Sequence, residues 1–546
     1  METQENTVSY WKEKFEASET RRLELEALVI YYEEQFRLYK HRQYGASSEK
    51  TPIADQLCLF GEFVDERTEA DTEEKYEVIT YKRRKNRRKR ADNFSRLPVE
   101  SVNVYALPED GLDCPQCGGQ MHKMSVIVHK TVKIIPARAV VVEDHQLVYS
   151  CRPCAMYEIT VPVVNAPMPA PVIKGSFASP SSVAYVMTQK YVYGLPLYRQ
   201  EQMFVFLGFA LSRQTMSHWV IRCSHDWLIH IYNRMKVLLI LREILHADES
   251  PLQVLREPGR EPQNLSYMWL YRTSGDTDKP IVIFEYKQSR AGENAKVFLK
   301  DFTGYLHADG HHGYHVLPDN IIISGCWVHM RRTWEDAYKV IPEELRNGTT
   351  ITEKGLGYIG KFFELEKKFA ELPPDKRFFA RLEQSKPITD AFFEWVSSLN
   401  VLPKSALGTA VTYTLNQRPY LENVYLNGRL EATNNRAERS FKPYVIGRKN
   451  WLFADSIKGA EANAICYSVL ETAKENHLSP FDYLEYLFTK LPNRDPHNID
   501  DLLPWSESLP EICLAPDHPV KLAHLEAARL SADTFETSDS YTQVTA

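Results

Sequence analysis

One tetrapeptide occurs twice in this chain, and each time it closes a short apolar run: Leu245-His246-Ala247-Asp248 and Leu306-His307-Ala308-Asp309. Between the copies lie two further runs, Tyr267 to Thr273 and Pro280 to Tyr286, rich in the β-branched and aromatic residues that suit strands. A segment from Glu293 to Phe302 then carries Ala295, Phe298, Leu299 and Phe302 at helical spacing. The order is strand, strand, strand, helix, strand, continued by an apolar run, Ile321 to Val328, and a helix-like segment, Arg332 to Val340. In an α/β sheet assembled this way, the first and fourth strands lie side by side and parallel. Asp248 and Asp309 then face one another at the carboxyl edge of the sheet. Facing carboxylates repel and raise each other's pKa, so a divalent cation is the natural third party. The plain alternative is that each aspartate caps its strand and opens a turn. Glu249 alternates to the other side of its strand and is expected to tolerate alanine.

A length of 546 residues suggests two to four domains, and 43% hydrophobic with 25% charged residues is the composition of an ordinary globular protein. The first residues, Met1 to Lys14, are polar and charged, unlike a secretory signal, and no apolar run reaches the length of a membrane helix. A cytoplasmic protein without a membrane partner is expected. Nine cysteines form an odd set. Four of them make two C-x-x-C pairs, Cys114/Cys117 and Cys151/Cys154, which argues for one tetrahedral zinc ion in a reducing compartment. Strand-like runs between the pairs, Val140 to Val142 and Leu147 to Tyr149, fit a zinc ribbon or finger. Net charge is −6, yet eight of the nine residues from Lys82 to Arg90 are cationic. Lys82, Arg83, Arg84, Arg87 and Arg88 therefore suit phosphate contact by counterion release, with a solvated linker as the plainer reading.

Tyr10 to Arg42 has helix composition, and Leu25, Val29, Tyr32, Phe36 and Tyr39 recur at steps of four and three. That seam fits either a coiled coil or an amphipathic helix packed on its own chain. Ala166 to Pro171 reads as a stiff linker. After it, Leu197 to Leu207 and a segment capped by Ser212 form either a helix-turn-helix or an α-hairpin packed on the next domain. Pro342 to about Leu426 is helical in pattern and reads as an insertion. Thr433 or Asn434 then caps a helix that Pro443 is expected to help end. By itself, Glu438 among arginines reads as a salt-bridging surface residue. A C-x-x-H at a strand end, Cys326 and His329, reads as packing or local hydrogen bonding. Ser479-Pro480 opens a last helix, and little order is expected past Trp505.

Several stretches together resemble one family. They are His41-Arg-Gln-Tyr-Gly-Ala-Ser-Ser-Glu49, the two C-x-x-C pairs, Gly194-Leu-Pro-Leu-Tyr-Arg-Gln200 and His246-Ala-Asp-Glu-Ser250. Cys326-Trp-Val-His-Met-Arg-Arg332, Asn434-Asn-Arg-Ala-Glu-Arg439 and Gly447-Arg-Lys-Asn-Trp-Leu-Phe453 complete the set. The chain resembles a bacterial DDE-type transposase of the insertion-sequence family numbered sixty-six. The resemblance implies a multidomain α/β protein with a ribonuclease-H-like catalytic core and Asp248, Asp309 and Glu438 as its acidic triad on Mg2+ or Mn2+. It implies cleavage of transposon-end DNA followed by strand transfer to target DNA, with a homo-oligomer and small accessory proteins of the same element as further partners. One departure stands out: the family usually has an aspartate before the paired asparagines, where this chain has Thr433. Arg331, Arg332, Arg439, Arg448 and Lys449 become candidate DNA contacts beside the basic run. The expected domains are an N-terminal helix or coiled coil (1–50), a linker (51–100), a zinc-binding domain (101–165) and a helical region with the candidate helix-turn-helix (166–235). A catalytic domain (236–490) with an insertion at about 342–430 and a C-terminal tail (491–546) follow. The competing readings are another nuclease on the same fold and a catalytically inactive DNA-binding regulator derived from a transposase.

Overall fold

A computed structural model describes residues 2–44, 137–150 and 163–524. The chain divides into two units, 1–47 with 139–546, and 48–138, and nearly all described residues belong to the first. The cysteines of both C-x-x-C pairs and the basic run from Lys82 to Arg90 lie outside the described residues. Two short exposed strands, β1 (Val148–Ser150) and β2 (Val163–Asn165), pair antiparallel on either side of the second cysteine pair, with Val148 opposite Asn165. Val140 to Val142, expected as a strand, is irregular.

The larger sheet contains β3 (Ile244–Arg256), β4 (Leu265–Thr273), β5 (Val282–Lys287), β6 (Gly304–Ala308) and β7 (Ile321–Gly325) in the order β5-β4-β3-β6-β7. β3, β4 and β5 form an antiparallel meander, whereas β6 and β7 run parallel to β3. The helix α6 (Gly292–Phe298) supplies the crossover from β5 to β6 and buries Ala295 and Phe298. The register is set where it matters: Leu245 lies opposite Leu306 and His246 opposite His307, and no later residue pairs between these two strands. Asp309 follows the end of β6 as expected. Asp248 does not end its strand, because β3 runs on to Arg256, still paired with β4 and, near its far end, with β8 (Ala454–Ser456). The continuation is stable because Leu252 and Val254 alternate into the core while their neighbours face outward.

Helices cover the sheet. α2 (Pro180–Tyr191), α3 (Leu197–Phe206), α4 (Arg213–Cys223) and α5 (Ile229–Ile240) precede β3. Ser179 caps α2 through a full capping box, and Ser212 caps α4 by accepting from the Thr215 amide, 3.2 Å away. Gly208, at φ +77°, makes the turn between α3 and α4 that a side chain would strain. Val183, Met187, Met216 and Trp219 share one hydrophobic core with the sheet residues Met268, Leu270 and Ile283. The boundary expected at residue 235 is therefore corrected: residues 172–240 belong to the sheet domain's core, and α3 with α4 is a hairpin packed on it.

α13 (Ile457–Glu475) lies along β5 and is buried on nearly every side. It also closes the sheet edge. Thr472 Oγ1 accepts from the Val282 amide and donates to the Val282 carbonyl, both at 3.0 Å, and Ser468 Oγ accepts from the Phe284 amide at 2.7 Å. Strand groups that would otherwise template another chain are thus paired within the molecule. Ser479 precedes α14 (Pro480–Lys490), and Leu502, Leu503, Leu509 and Cys513 beyond it are buried in the same core. The tail expected from 491 is accordingly a packed part of the domain as far as Leu514.

After β7, α7 (Trp327–Lys339) begins five residues earlier than the periodicity suggested, so Trp327 and Val328 are helical. Four helices follow: α8 (Ile351–Phe369), α9 (Pro374–Ala380), α10 (Lys386–Ser397) and α11 (Ala406–Leu421). With α7, helices α8, α10 and α11 build a second core on Trp327, Trp334, Phe362, Phe392 and Phe393. Within it, buried Arg381 holds Glu366 at 2.8 and 2.6 Å through two guanidinium nitrogens. α1 (Glu2–Tyr44) is one long helix whose Glu34 accepts from the Ala406 amide at 2.5 Å and whose Arg37 reaches the Val340 carbonyl at 3.3 Å. Its seam residues Leu25, Val29, Tyr32, Phe36 and Tyr39 are 47 to 68% exposed among the described residues. No helix among the described residues is long and apolar enough to cross a membrane.

Candidate active site

Two residues past the last parallel pair, β3 and β6 part, and their next inward-facing side chains are Asp248 and Asp309. Beneath them the preceding residues of the same parity, His246 and His307, stack with ring centroids 4.4 Å apart and are fully buried. Burial holds both imidazoles neutral, pushing His246 down to about 3 and His307 well below its usual range. Their tautomers follow from their partners. His246 Nδ1 donates to Asn434 Oδ1 at 2.9 Å, and His307 Nε2 accepts from the Glu431 amide at 3.1 Å. Asn434 also donates to the Ala247 carbonyl at 2.8 Å. Its side chain thus ties the start of the next helix to β3 and makes no capping bond.

That helix, α12 (Asn435–Trp451), carries Glu438 in its first turn and brings it to the aspartates from another part of the chain. Pro443 does not end it: the helix continues to Trp451 because Phe441 and Tyr444 are anchored against Phe284 and Tyr467 in the core. That packing outweighs the cost of one missing helical hydrogen bond, ~3 kcal/mol. Burial raises the Asp248 pKa well above the carboxylate range, and the charges of Glu249, Asp309 and Glu438 push it further the same way. Each aspartate spends one oxygen locally. Asp248 Oδ1 accepts from the Glu249 amide and Asp309 Oδ1 from the His311 amide, both at 2.9 Å. The turn-capping bonds thus use only one oxygen of each aspartate. Glu438 Oε1 is buried with no hydrogen-bond partner, at 3.5 Å from His329 Nε2. A repelling group of carboxylates, one holding an unsatisfied buried oxygen, is a donor set suited to a hard divalent cation.

Three neighbours carried no signal in the sequence. Arg290, in the loop after β5, binds Glu249 Oε1 at 2.6 Å through Nε and lies 3.7 Å from Asp309 Oδ2. Tyr314 donates to the other oxygen of Glu249 at 2.5 Å. Glu249, whose side chain is fully buried, is thus held by two partners on its own side of the strand, and its replacement bears on stability as well as on the site. Tyr413, on insertion helix α11, stands against Gly310 so closely that a Cβ there would lie 2.6 Å from the phenol oxygen. An isolated tyrosine a hundred residues downstream offers no periodicity or motif by which to find it.

The candidate DNA contacts divide by their partners. Arg331 is engaged by Glu335 at 2.8 Å and lies over the Phe363 ring, and Arg448 donates to the Pro251 carbonyl and to Ser250 Oγ. Arg332, Arg439 and Lys449 are exposed on the helices that carry His329 and Glu438.

Profiles of known families match four successive parts of the chain. Residues 175–462 match the transposase IS66 family, and residues 468–505 match the IS66 C-terminal element. Residues 31–102 match the transposase C of IS166 homeodomain, and residues 112–155 match the zinc-finger binding domain of transposase IS66. Among curated proteins the chain is similar to uncharacterized proteins of Sinorhizobium fredii. It is 27% identical to y4jD over 442 residues, 77% of this chain and 83% of that protein. It is 30% identical to y4qI over 363 residues, 63% of this chain and 65% of that one. With y4hP the identity is 26% over 426 residues, covering 74% and 75%. The IS66 profile spans more than half of the chain and takes in both aspartates, Glu438 and the helices that position them, so the chain belongs to the IS66 family of transposases.

Proposed function

We propose that the protein is a DNA transposase whose sheet domain is a ribonuclease-H-like core with Asp248, Asp309 and Glu438 as a catalytic unit. The observation that carries this reading is the convergence of three carboxylates from β3, β6 and α12 on the point where the two parallel strands part. The strand order, with an antiparallel meander followed by two parallel strands, supports the fold assignment. The three carboxylates would hold Mg2+ or Mn2+, which when bound neutralises charge on the scissile phosphate and acidifies the attacking water or hydroxyl. Arg290 fixes Glu249 and leans toward Asp309, which keeps Asp309 oriented. The neutral histidine stack gives Asp248 a low-dielectric floor that strengthens its attraction for a cation. Arg332, Arg439 and Lys449 bind backbone phosphates beside the site.

In the first step water attacks a phosphodiester at the element's end and a 3′-hydroxyl leaves. In the second that 3′-hydroxyl attacks a target phosphodiester in line and displaces the target's own 3′-oxygen. Cys114, Cys117, Cys151 and Cys154 would hold a structural zinc ion, and the basic run from Lys82 would supply sequence-independent affinity. The test is cleavage and joining of labelled end DNA in Mg2+, with each acid replaced by alanine. Each replacement is expected to lower the rate by at least ~10³-fold while leaving end binding intact. Cleavage without strand transfer would favour a simple nuclease. Binding with no metal-dependent cleavage would favour a regulator.

A further inference from the structure

The sequence made C-x-x-H a packing feature, but the fold brings it a third donor. Cys326, His329 and Glu438 place a sulfur, an imidazole nitrogen and a carboxylate oxygen within 4.8 Å of one another. Cys326 follows the end of β7 and occupies the N-cap of α7, and His329 lies in that helix's first turn. Glu438 comes from the first turn of α12, so two helix N-termini meet at the cluster.

The polar accounting at this point does not close. His329 Nδ1 and Glu438 Oε1 are both buried without hydrogen-bond partners, and their only mutual contact is the 3.5 Å ion pair through His329 Nε2. The Cys326 sulfur, in contrast, is surrounded by donors: the Asn434 amide lies 3.2 Å away, and the Val328 and His329 amides also point at it. Amides converging on sulfur are the surroundings of a metal-bound thiolate. A cysteine serving only to cap the helix would account for the amides but not for the convergence of His329 and Glu438. Burial does push the free thiol up to about 11, and a metal ion removes that obstacle because a coordinating thiol gives up its proton.

We propose that Cys326, His329 and Glu438 form a site for a thiophilic divalent ion, zinc foremost, which takes Glu438 away from the catalytic unit. A sulfur, nitrogen and oxygen set with an open fourth position is a zinc-type site, whereas Asp248 and Asp309 offer hard oxygens alone. The two sites share one glutamate, so occupying the first withdraws a ligand from the second. Zinc is then an inhibitor that acts at the active site without resembling DNA. The competition, though not the binding, rests on Glu438 being catalytic.

The test uses full-length protein stripped of metal and titrated with Co2+, read by the thiolate-to-cobalt charge-transfer band. The wild type is expected to take two ions per chain, one in the finger and one here, and Cys326→Ser and His329→Asn one each. A single ion in the wild type, or two in the variants, overturns the site. Circular dichroism and melting temperature confirm that the variants are folded, and either variant alone suffices for the count. In Mg2+-dependent cleavage of end DNA, added Zn2+ should suppress the wild type, and Cys326→Ser should need at least ~100-fold more. Equal sensitivity of the two overturns the competition. Absence of cleavage under all conditions speaks against the transposase reading and leaves the ion count to decide the site.

Discussion

Asp248 and Glu249 are adjacent in the chain and opposite in their energetics. Asp248 is buried with other negative charges around it, and its folded-state pKa is raised. For a carboxylate the sign is then clear. Above the unfolded-state value the folded protein holds its proton longer than the unfolded chain, so stability falls as pH rises through that interval and stays reduced above the folded pKa. Asp248→Asn should therefore melt at a higher temperature than the wild type in metal-free buffer at neutral pH. The difference should vanish below about pH 4, where both states are protonated. A variant melting lower at neutral pH would mean the carboxylate is not strained. Glu249 is equally buried but fully engaged by Arg290 and Tyr314. Glu249→Ala should cost about 2–3 kcal/mol, less than for a completely buried pair because Arg290 is partly exposed. Denaturant unfolding gives that number, and a change within about 0.5 kcal/mol would show the pair to be neutral.

At the scale of elements, β5 depends on a helix that begins 170 residues after it ends, from Lys287 to Ile457. α13 lends two hydroxyls to the backbone of β5, and Thr472 serves one residue twice, as acceptor and as donor. Thr472→Val preserves shape but leaves the Val282 amide and carbonyl buried without partners. It is expected to destabilise by ~1–3 kcal/mol and to speed amide exchange across β5. Unchanged exchange at Val282 would show that another group satisfies it. Pro443 illustrates the same dependence from the other side. The proline within Asn434 to Trp451 reads locally as a stop, yet the core contacts of Phe441 and Tyr444 carry the helix through it.

At the scale of the molecule, α1 presents an apolar seam that the described residues leave exposed. Glu34 and Arg37, polar residues beside the seam, bond to Ala406 at the start of α11 and to Val340 after α7. We expect the seam to join copies of the protein. Val29→Glu with Phe36→Glu should lower the sedimenting mass without lowering the melting temperature of the sheet domain, since both residues are exposed. An unchanged mass would place self-association elsewhere.

The sequence by itself determined the elements and their pairing. The repeated Leu-His-Ala-Asp implied two strands in matched register, and they pair parallel with His246 opposite His307. Alternation and helical spacing are written in neighbouring residues, so strands β4, β5 and the helices capped by Ser212 and Ser479 were legible without any partner in view. The bounds of domains were less so. Nothing local tells Met187 or Leu502 that the surface covering it belongs to the sheet, and both were read as lying in other segments. What only the tertiary structure decided was which distant side chains meet. Strand alternation puts Glu249 on the side away from Asp248, but it does not reveal that Arg290 and Tyr314 wait there. Cys326 and His329 were read as packing because their third donor lies 109 residues on, from His329 to Glu438, beyond an insertion with its own core. Spacing along a chain records local geometry alone, and a site built from three elements exists only once packing has set the distances between them.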